Sequence, residues 1–426
     1  MLSRIIYYIL LFFIFFLPLA YSKEETIVLT LDEAIAIASR GNKDILLNQE
    51  RLAQEKLKIE EAKGAFLPDI SVSGSDTYTR GSYRKDIVSY SFQAGVRQYI
   101  YKGGESVNNL KQAKYKAEVQ SAVLDKTKLN IGFNVKKAFY AILIAREFSR
   151  INRIILENSA AHYRVALARY KKGEASESEL LKAKSLIGSM QSLYVQSRGQ
   201  LENARILLKN ILYVEKDANI DIRGELAYAP KKMAIDDAIL KALSLRQEIR
   251  QYEAQAEADK ARAEAAKAGS RPSIYGSFDY YSRSTTSLTF SPSKGWQDYN
   301  VIGVTLSWPV FDGWATRAKV EQALIDVKQA RILQDKYKLD VATEVKSAYL
   351  SLKTALAGLE PRKSDIAVYA DNARSVQEKY KEGIASALDV FDARLALLIS
   401  QFNQSQALYE CLASKAELDK AMGVGI

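Results

Sequence analysis

Lys379-Tyr-Lys-Glu-Gly383-Ile-Ala-Ser386-Ala-Leu-Asp389-Val-Phe-Asp392-Ala393 reads as the end of one helix and the start of the next. Glycine supplies the left-handed turn that stops a helix. Serine three residues on caps the following helix, and an acid three residues further bonds back to the cap. The same elbow is written once before, as Arg169-Tyr-Lys-Lys-Gly173-Glu-Ala-Ser176-Glu-Ser-Glu179-Leu-Leu-Lys-Ala183, displaced by 210 residues. Ser176 with Glu179 and Ser386 with Asp389 both read as capping boxes.

The correspondence spreads outward from the elbows, as expected of a tandem duplication. Leu31-Asp-Glu-Ala-Ile35 matches Ile235-Asp-Asp-Ala-Ile239 and Pro68 matches Pro272, both displaced by 204. Gly95-Val96 matches Gly303-Val304, displaced by 208, and Val135-Lys-Lys-Ala-Phe139 matches Val345-Lys-Ser-Ala-Tyr349, displaced by 210. The chain therefore divides into residues 1–22, a first repeat over 23–229 and a second over 230–426. Arg4, the apolar run 5–17, Pro18 and Ala20-Tyr21-Ser22 make residues 1–22 a secretory signal peptide. Lys23, not cysteine, follows the cleavage site, so the usual lipid anchor is missing.

Each repeat opens with helix formers, over 31–66 and 235–268. Gly41-Asn42 breaks the first of these, and Pro68 and Pro272 end them. Two strands follow in each. In 87–101, Val88, Tyr90, Phe92, Ala94, Val96 and Ile100 oppose Ser89, Ser91, Gln93, Gly95 and Arg97. In 301–310, Ile302, Val304, Leu306, Trp308 and Val310 oppose Gly303, Thr305 and Ser307. Their partners lie over 69–79 and 273–282, and 80–86 and 283–299 read as polar loops. Very long helical runs then reach the elbows, over 104–170 and, interrupted only by Pro361, over 313–380. About 66 helical residues span about 100 Å. Beyond the elbows, Leu180, Ala183, Ile187, Met190, Tyr194, Ser197 and their successors keep the three–four spacing of a coiled-coil seam. Val390, Ala393, Leu397 and Ser400 repeat it, with Cys411 as a core member.

The strands set the function class. Four per chain, each with a core of the ~9–11 residues that cross a bilayer, carry one apolar and one polar face. Gln93 and Arg97 are the pore-facing candidates. Four strands cannot close, and an open edge in hydrocarbon leaves backbone groups unpaired. Two copies give eight strands, filled by side chains; three give twelve and a lumen. The fold class is thus an α+β membrane protein, a helical coiled-coil barrel continuous with a transmembrane β-barrel closed by trimerisation. The expected place is the bacterial outer membrane, in contact with its lipids, with the helices in the periplasm.

The 426 residues carry a net charge of +11, with basic and acidic residues interspersed along the helices, as on a solvated helical surface and not in a nucleic-acid footprint. One cysteine and one histidine, His162, exclude an intrachain disulfide and a histidine metal cluster. His162 reads as a surface residue. No phosphate-binding glycine loop and no nucleophile–base–acid set is present, so neither an enzyme nor a cofactor is expected.

The order of elements resembles the TolC-like outer-membrane efflux family. The most specific matches are Tyr380-x-x-Gly383-x-x-Ser386-x-x-Asp389-Val-Phe-Asp392-Ala393 and Trp308-Pro-Val-Phe-Asp312-Gly313. The resemblance implies a homotrimeric channel-tunnel that exports small molecules, docked to a periplasmic adaptor and an inner-membrane pump through elbows built on Gly173, Ser176, Gly383 and Ser386. It implies a periplasmic gate of Tyr380, Asp389 and Asp392, with Glu179 from the first repeat. The arginine expected two residues after the elbow glycine is Ala385 here, which leaves closure to Lys381 or Arg394. A type I protein-secretion conduit and a non-conducting envelope coiled coil or adhesin are the alternatives.

Overall fold

The computed structural model describes residues 27–82, 85–214, 220–229, 233–285 and 295–425. The expected signal peptide and the tips of both strand hairpins lie outside them. The elements run β1 (Ile27–Leu29), α1 (Leu31–Gly41), α2 (Lys43–Gly64), β2 (Asp69–Ser82), β3 (Lys85–Lys102), α3 (Glu105–Lys171) and α4 (Glu177–Leu212). β4 (Ile220–Ile222) closes the first repeat, and the second follows with α5 (Ile235–Leu245), α6 (Gln247–Ala266), β5 (Ser273–Ser284), β6 (Trp296–Ser307), α7 (Ala315–Lys381) and α8 (Ala387–Ala421).

Asn42 breaks the first entry helix as expected, its side chain accepting from the amides of Asp44 and Ile45. The second entry helix, expected to be continuous, also breaks, at Arg246. No glycine or proline marks that break; side-chain contacts of Arg246 hold it. Pro361, conversely, interrupts nothing, because α7 is one 67-residue helix. Leu359 beside it packs on Ala407 and Cys411 of α8. That packing outweighs the ~3 kcal/mol that an internal proline costs.

The repeats bury twin cores. In the first, Ala34, Ala38, Val135, Ile142 and Leu208 pack together; in the second, Ala238, Ala242, Val345, Leu352 and Leu418 do. The first core also takes in a two-stranded parallel sheet, β1 on β4, that the sequence reading missed. Along α4 and α8 the expected seams hold, with Ala183, Ser197, Ala204 and Leu208, and Ala393, Ser400, Ala407, Cys411 and Leu418, all buried.

β2-β3-β5-β6 form one antiparallel sheet. Its strands are longer than the alternation suggested, so the expected loops shrink. β2 and β3 pair up to Ser82 and Lys85, and β5 and β6 up to Ser284 and Trp296. Cross-strand contacts decide this over the weak strand propensity of Ser and Gly. β6 in turn stops at Ser307 and not at Val310. Its partner β5 begins at Ser273, opposite Ser307, and Pro309 offers no amide. Ile100 is the extra residue of a bulge between Tyr99 and Tyr101.

Pairing also corrects the repeat alignment. Ser71 faces Gly95, and Tyr275 faces Thr305. With β2 and β5 displaced by 204, β3 and β6 are displaced by 210 and not by 208. The added residues therefore lie in the hairpin of the second strand pair.

Candidate functional site

At the second elbow the Gly383 amide donates to the Tyr380 carbonyl at 3.1 Å and the Ile384 amide to the Lys379 carbonyl at 2.8 Å. Gly383 and Gly173 have φ of +77° and +76°, a conformation costly for any residue with a Cβ. Ser386 completes the box: its Oγ accepts from the Asp389 amide at 3.2 Å. Asp389 Oδ2 accepts from the Ser386 amide and hydroxyl, each at 2.7 Å. The backbone bond to Ser386, then the side-chain bond, holds the Asp389 carboxyl below the usual carboxylate range.

The first elbow departs from this plan. The Glu179 amide donates to Ser176 Oγ at 3.2 Å, but the Glu179 carboxylate turns to Arg169, 3.2 Å away. Arg169 also donates to the Glu174 carbonyl at 3.1 Å. The equivalent of Arg169 in the second repeat is Lys379, which has no planar fork to bridge the hairpin. The capping box expected at Ser176 is therefore half formed.

A folded pKa below the unfolded one stabilises above the unfolded value, near 3.8 for Asp389, and is lost as pH falls through the folded value. Acidification below about pH 4 will therefore loosen the second elbow. Hydrogen exchange at the Ser386 and Asp389 amides, corrected for intrinsic rate, reports it. Asp389→Ala will show the loosened level at neutral pH, and equal protection in both proteins would refute the cap.

Asp392 is exposed one turn beyond Asp389 on the same helix face. Tyr380 is 41% exposed and borders a cleft of about 240 Å³ between α3 and the second elbow, lined also by Asn158, His162, Val165 and Gln377. His162, expected at the surface, instead stacks on buried Phe391, centroids 5.5 Å apart. Arg394, a candidate for closure, is engaged within its own hairpin, donating to Gln377 Oε1 at 2.7 Å. Lys381 is exposed. The structure thus gathers Tyr380, Asp389 and Asp392 at one elbow and ties Glu179 into the other.

The sheet carries two chemically distinct faces. One aligns Ile70, Val96, Phe278 and Ile302 across all four strands, with Val72, Ala94 and Tyr280 in the next row. The other aligns Ser73, Gln93, Tyr281 and Tyr299, and Asp69, Arg97, Ser277 and Gly303. Gln93 donates to Asp279 Oδ1 at 3.0 Å and to the Tyr281 hydroxyl at 3.2 Å. The Arg97 guanidinium stands 5.0 Å from the centre of the Tyr275 ring. Sequence reasoning missed Asp279, Tyr281 and Tyr299 as partners on this face, although the odd positions 275–283 alternate visibly. Among the described residues no helix is long and apolar enough to cross a membrane, and no cluster of His, Cys, Asp or Glu would hold a metal.

The comparisons with known proteins agree with this architecture. A family model described as outer membrane efflux protein matches residues 35–212 and 238–424, one match per repeat. Nodulation protein T of Rhizobium leguminosarum bv. trifolii is 21% identical over 404 residues, covering 90% of this chain and 83% of that protein. Outer membrane protein TolC of Escherichia coli (strain K12) is 21% identical over 394 residues, covering 86% and 76%. Among solved structures, the Campylobacter jejuni CmeC outer membrane channel superposes with a TM-score of 0.79 at 17% identity, covering 92% of this chain and 85% of that one. VceC from Vibrio cholerae superposes with a TM-score of 0.78 at 15% identity, covering 93% and 96%. With both repeats matched and the sheet, long helices and elbows in place, the chain belongs to the outer membrane efflux protein family, as a TolC-like outer membrane channel and not an enzyme.

Proposed function

We propose that three copies of this chain, each contributing the repeats 23–229 and 230–426, close a twelve-stranded barrel and a continuous helical tunnel that exports small molecules across the outer membrane. The observation that carries this is the sheet. One row of its apolar face, Ile70, Val96, Phe278 and Ile302, is complete across four strands, while β2 and β6 each end the sheet with an unpaired edge. Such edges are tolerated in lipid only when another copy pairs with them. Ile70, Val72, Ile302 and Val304 are all more than 60% exposed in the single chain, which suits lipid contact. Gln93 and Arg97 then face the lumen.

In this reading the long helices run from the sheet through the periplasm, with the elbows at the tunnel's far end. There Ile384 (72% exposed) and Leu388 leave apolar surface beside Gly383 and Ser386 for a periplasmic adaptor, with Gly173 and Ser176 as the companion elbow. The adaptor in turn links the tunnel to an inner-membrane pump. Tyr380, Asp389 and Asp392 line the mouth, and Glu179 flanks it. Because Asp389 is committed to its cap, Asp392 is the carboxylate free to form the ring. Like charges ~6 Å apart repel by ~3 kcal/mol at an effective dielectric of ~20, and a divalent cation relieves this.

Purified protein in planar bilayers will conduct. Asp392→Asn will raise the half-blocking concentration of a divalent cation about tenfold, the effect of losing ~1.4 kcal/mol of attraction. Unchanged block would remove Asp392 from the mouth, and no conductance at all would refute the channel.

A further inference from the structure

The polar face of the sheet carries an arrangement that a plain water-lined wall does not need. Near the hairpin end, the rings of Tyr281 and Tyr299 stack across β5 and β6, centroids 5.0 Å apart and 17° from parallel. Arg283, one row further out, lays its guanidinium 5.1 Å from the first ring centre and 5.7 Å from the second. Gln93 pins the platform from β3 by donating to the Tyr281 hydroxyl. The row of Arg283 is otherwise Ser75, Ser91 and Gln297, with the two serine hydroxyls 2.8 Å apart.

Charge on this face is uneven. Asp279 lies inward of the tyrosine row and accepts from Gln93; Asp69 lies further in, opposite Arg97. Asp298 belongs to the opposite face, where it accepts from the Ser282 hydroxyl at 2.5 Å. Among the described residues no carboxylate lies within ion-pair distance of Arg283. Its side chain is exposed, and Tyr299 is 41% exposed.

Stacking uses the faces of a guanidinium and leaves its N–H edge free for an oxyanion, carboxylate or sulfonate, that accepts two N–H bonds. The ring left open beside it offers an aromatic contact. We infer that Arg283, held on Tyr281 and Tyr299, is a selectivity site at the outer mouth of the duct that favours anions and binds aromatic sulfonates and carboxylates most strongly. This rests on the lumen assignment proposed above.

The test is single-channel recording under a tenfold KCl gradient, with naphthalene disulfonate and an aliphatic disulfonate as added blockers. Arg283→Gln will move the reversal potential toward cation selectivity and raise the half-blocking concentration of naphthalene disulfonate about tenfold or more. Arg283→Lys will keep the reversal potential but lose the preference for the aromatic blocker. Tyr281→Leu will weaken naphthalene disulfonate and leave the aliphatic blocker unchanged. A conducting Arg283→Gln channel with wild-type reversal potential and block would overturn the site while leaving the duct intact. Loss of block by both disulfonates in Tyr281→Leu would overturn the aromatic part. A protein that never conducts would overturn the lumen reading itself.

Discussion

Oxidation of a Ser73→Cys/Ser307→Cys variant will convert the monomer band on a denaturing gel into covalent dimers and trimers. The register follows from the joint already present inside each chain. There the first repeat's exit strand pairs with the second repeat's entry strand, placing Arg97 opposite Ser277. Carrying each partner to its equivalent, by 210 for exit strands and 204 for entry strands, puts Ser307 opposite Ser73 of a neighbouring copy. The same register sets Ile302 against Tyr78, Trp308 against Val72 and Phe311 against Ile70. All six are exposed by 60% or more in the single chain. In that register the residues beyond Ser307, left unpaired where β5 begins, would pair with a neighbouring copy.

The helices agree with this register. Gly103, with φ +61°, packs so closely on Ala268 that a Cβ there would stand 3.1 Å from its backbone. The equivalents are Gly313 and Gly64, and a Cβ at either would meet nothing within 4 Å in the single chain. Two small residues facing open space on opposite edges are what a second copy of the same joint requires. A Thr77→Cys/Ser307→Cys variant, four residues out of register, will remain monomeric on the gel. Cys411, wholly buried, takes no part. Cross-linking in the displaced pair but not in the matched one would refute the register. Monomers from both would refute closure by copies of the chain.

Much of the fold is legible in the sequence because its signals are local. Gly383 and Ser386 act through their own turn, and the alternation of Val88 through Val96 needs only one strand. What is not legible depends on partners far along the chain. β1 and β4 are three residues each and exist only as a pair. Tyr299 and Arg283 look like loop residues until β5 and β6 are laid side by side. The carboxylate of Glu179 follows Arg169, ten residues back across the turn, and not the cap that its spacing spells. The gate candidates divide in the same way: Asp389 is spoken for by its own cap, while the role proposed for Asp392 needs other copies of the chain.

Arg246→Ala will cost about 3–5 kcal/mol, the penalty for removing one member of a buried ion pair. Arg246 and Glu248 both have side chains only 9% exposed, joined by contacts of 3.0 and 3.2 Å. The same guanidinium reaches Glu344 on α7 at 2.8 Å and the carbonyls of Lys420 and Ala421 at the end of α8, each at 3.3 Å. One side chain therefore fixes the helix break and ties α6, α7 and α8 together. Without it Glu248 keeps only Lys126 of α3, at 3.5 Å, while the α8 carbonyls lose their donor. Glu344, 40% exposed, can turn to water; Glu248 cannot. The loss should appear as a lower apparent melting temperature and faster hydrogen exchange at the end of α8. Arg246→Met combined with Glu248→Leu removes both charges and fills the space, so it should recover most of the loss. If Arg246→Ala melts like the unaltered protein, the break at Arg246 is held by the packing of Ala238, Ala242 and Leu418 alone. If the double variant is as unstable as the single one, the bonds to the Lys420 and Ala421 carbonyls, and not the buried charge, are what Arg246 contributes.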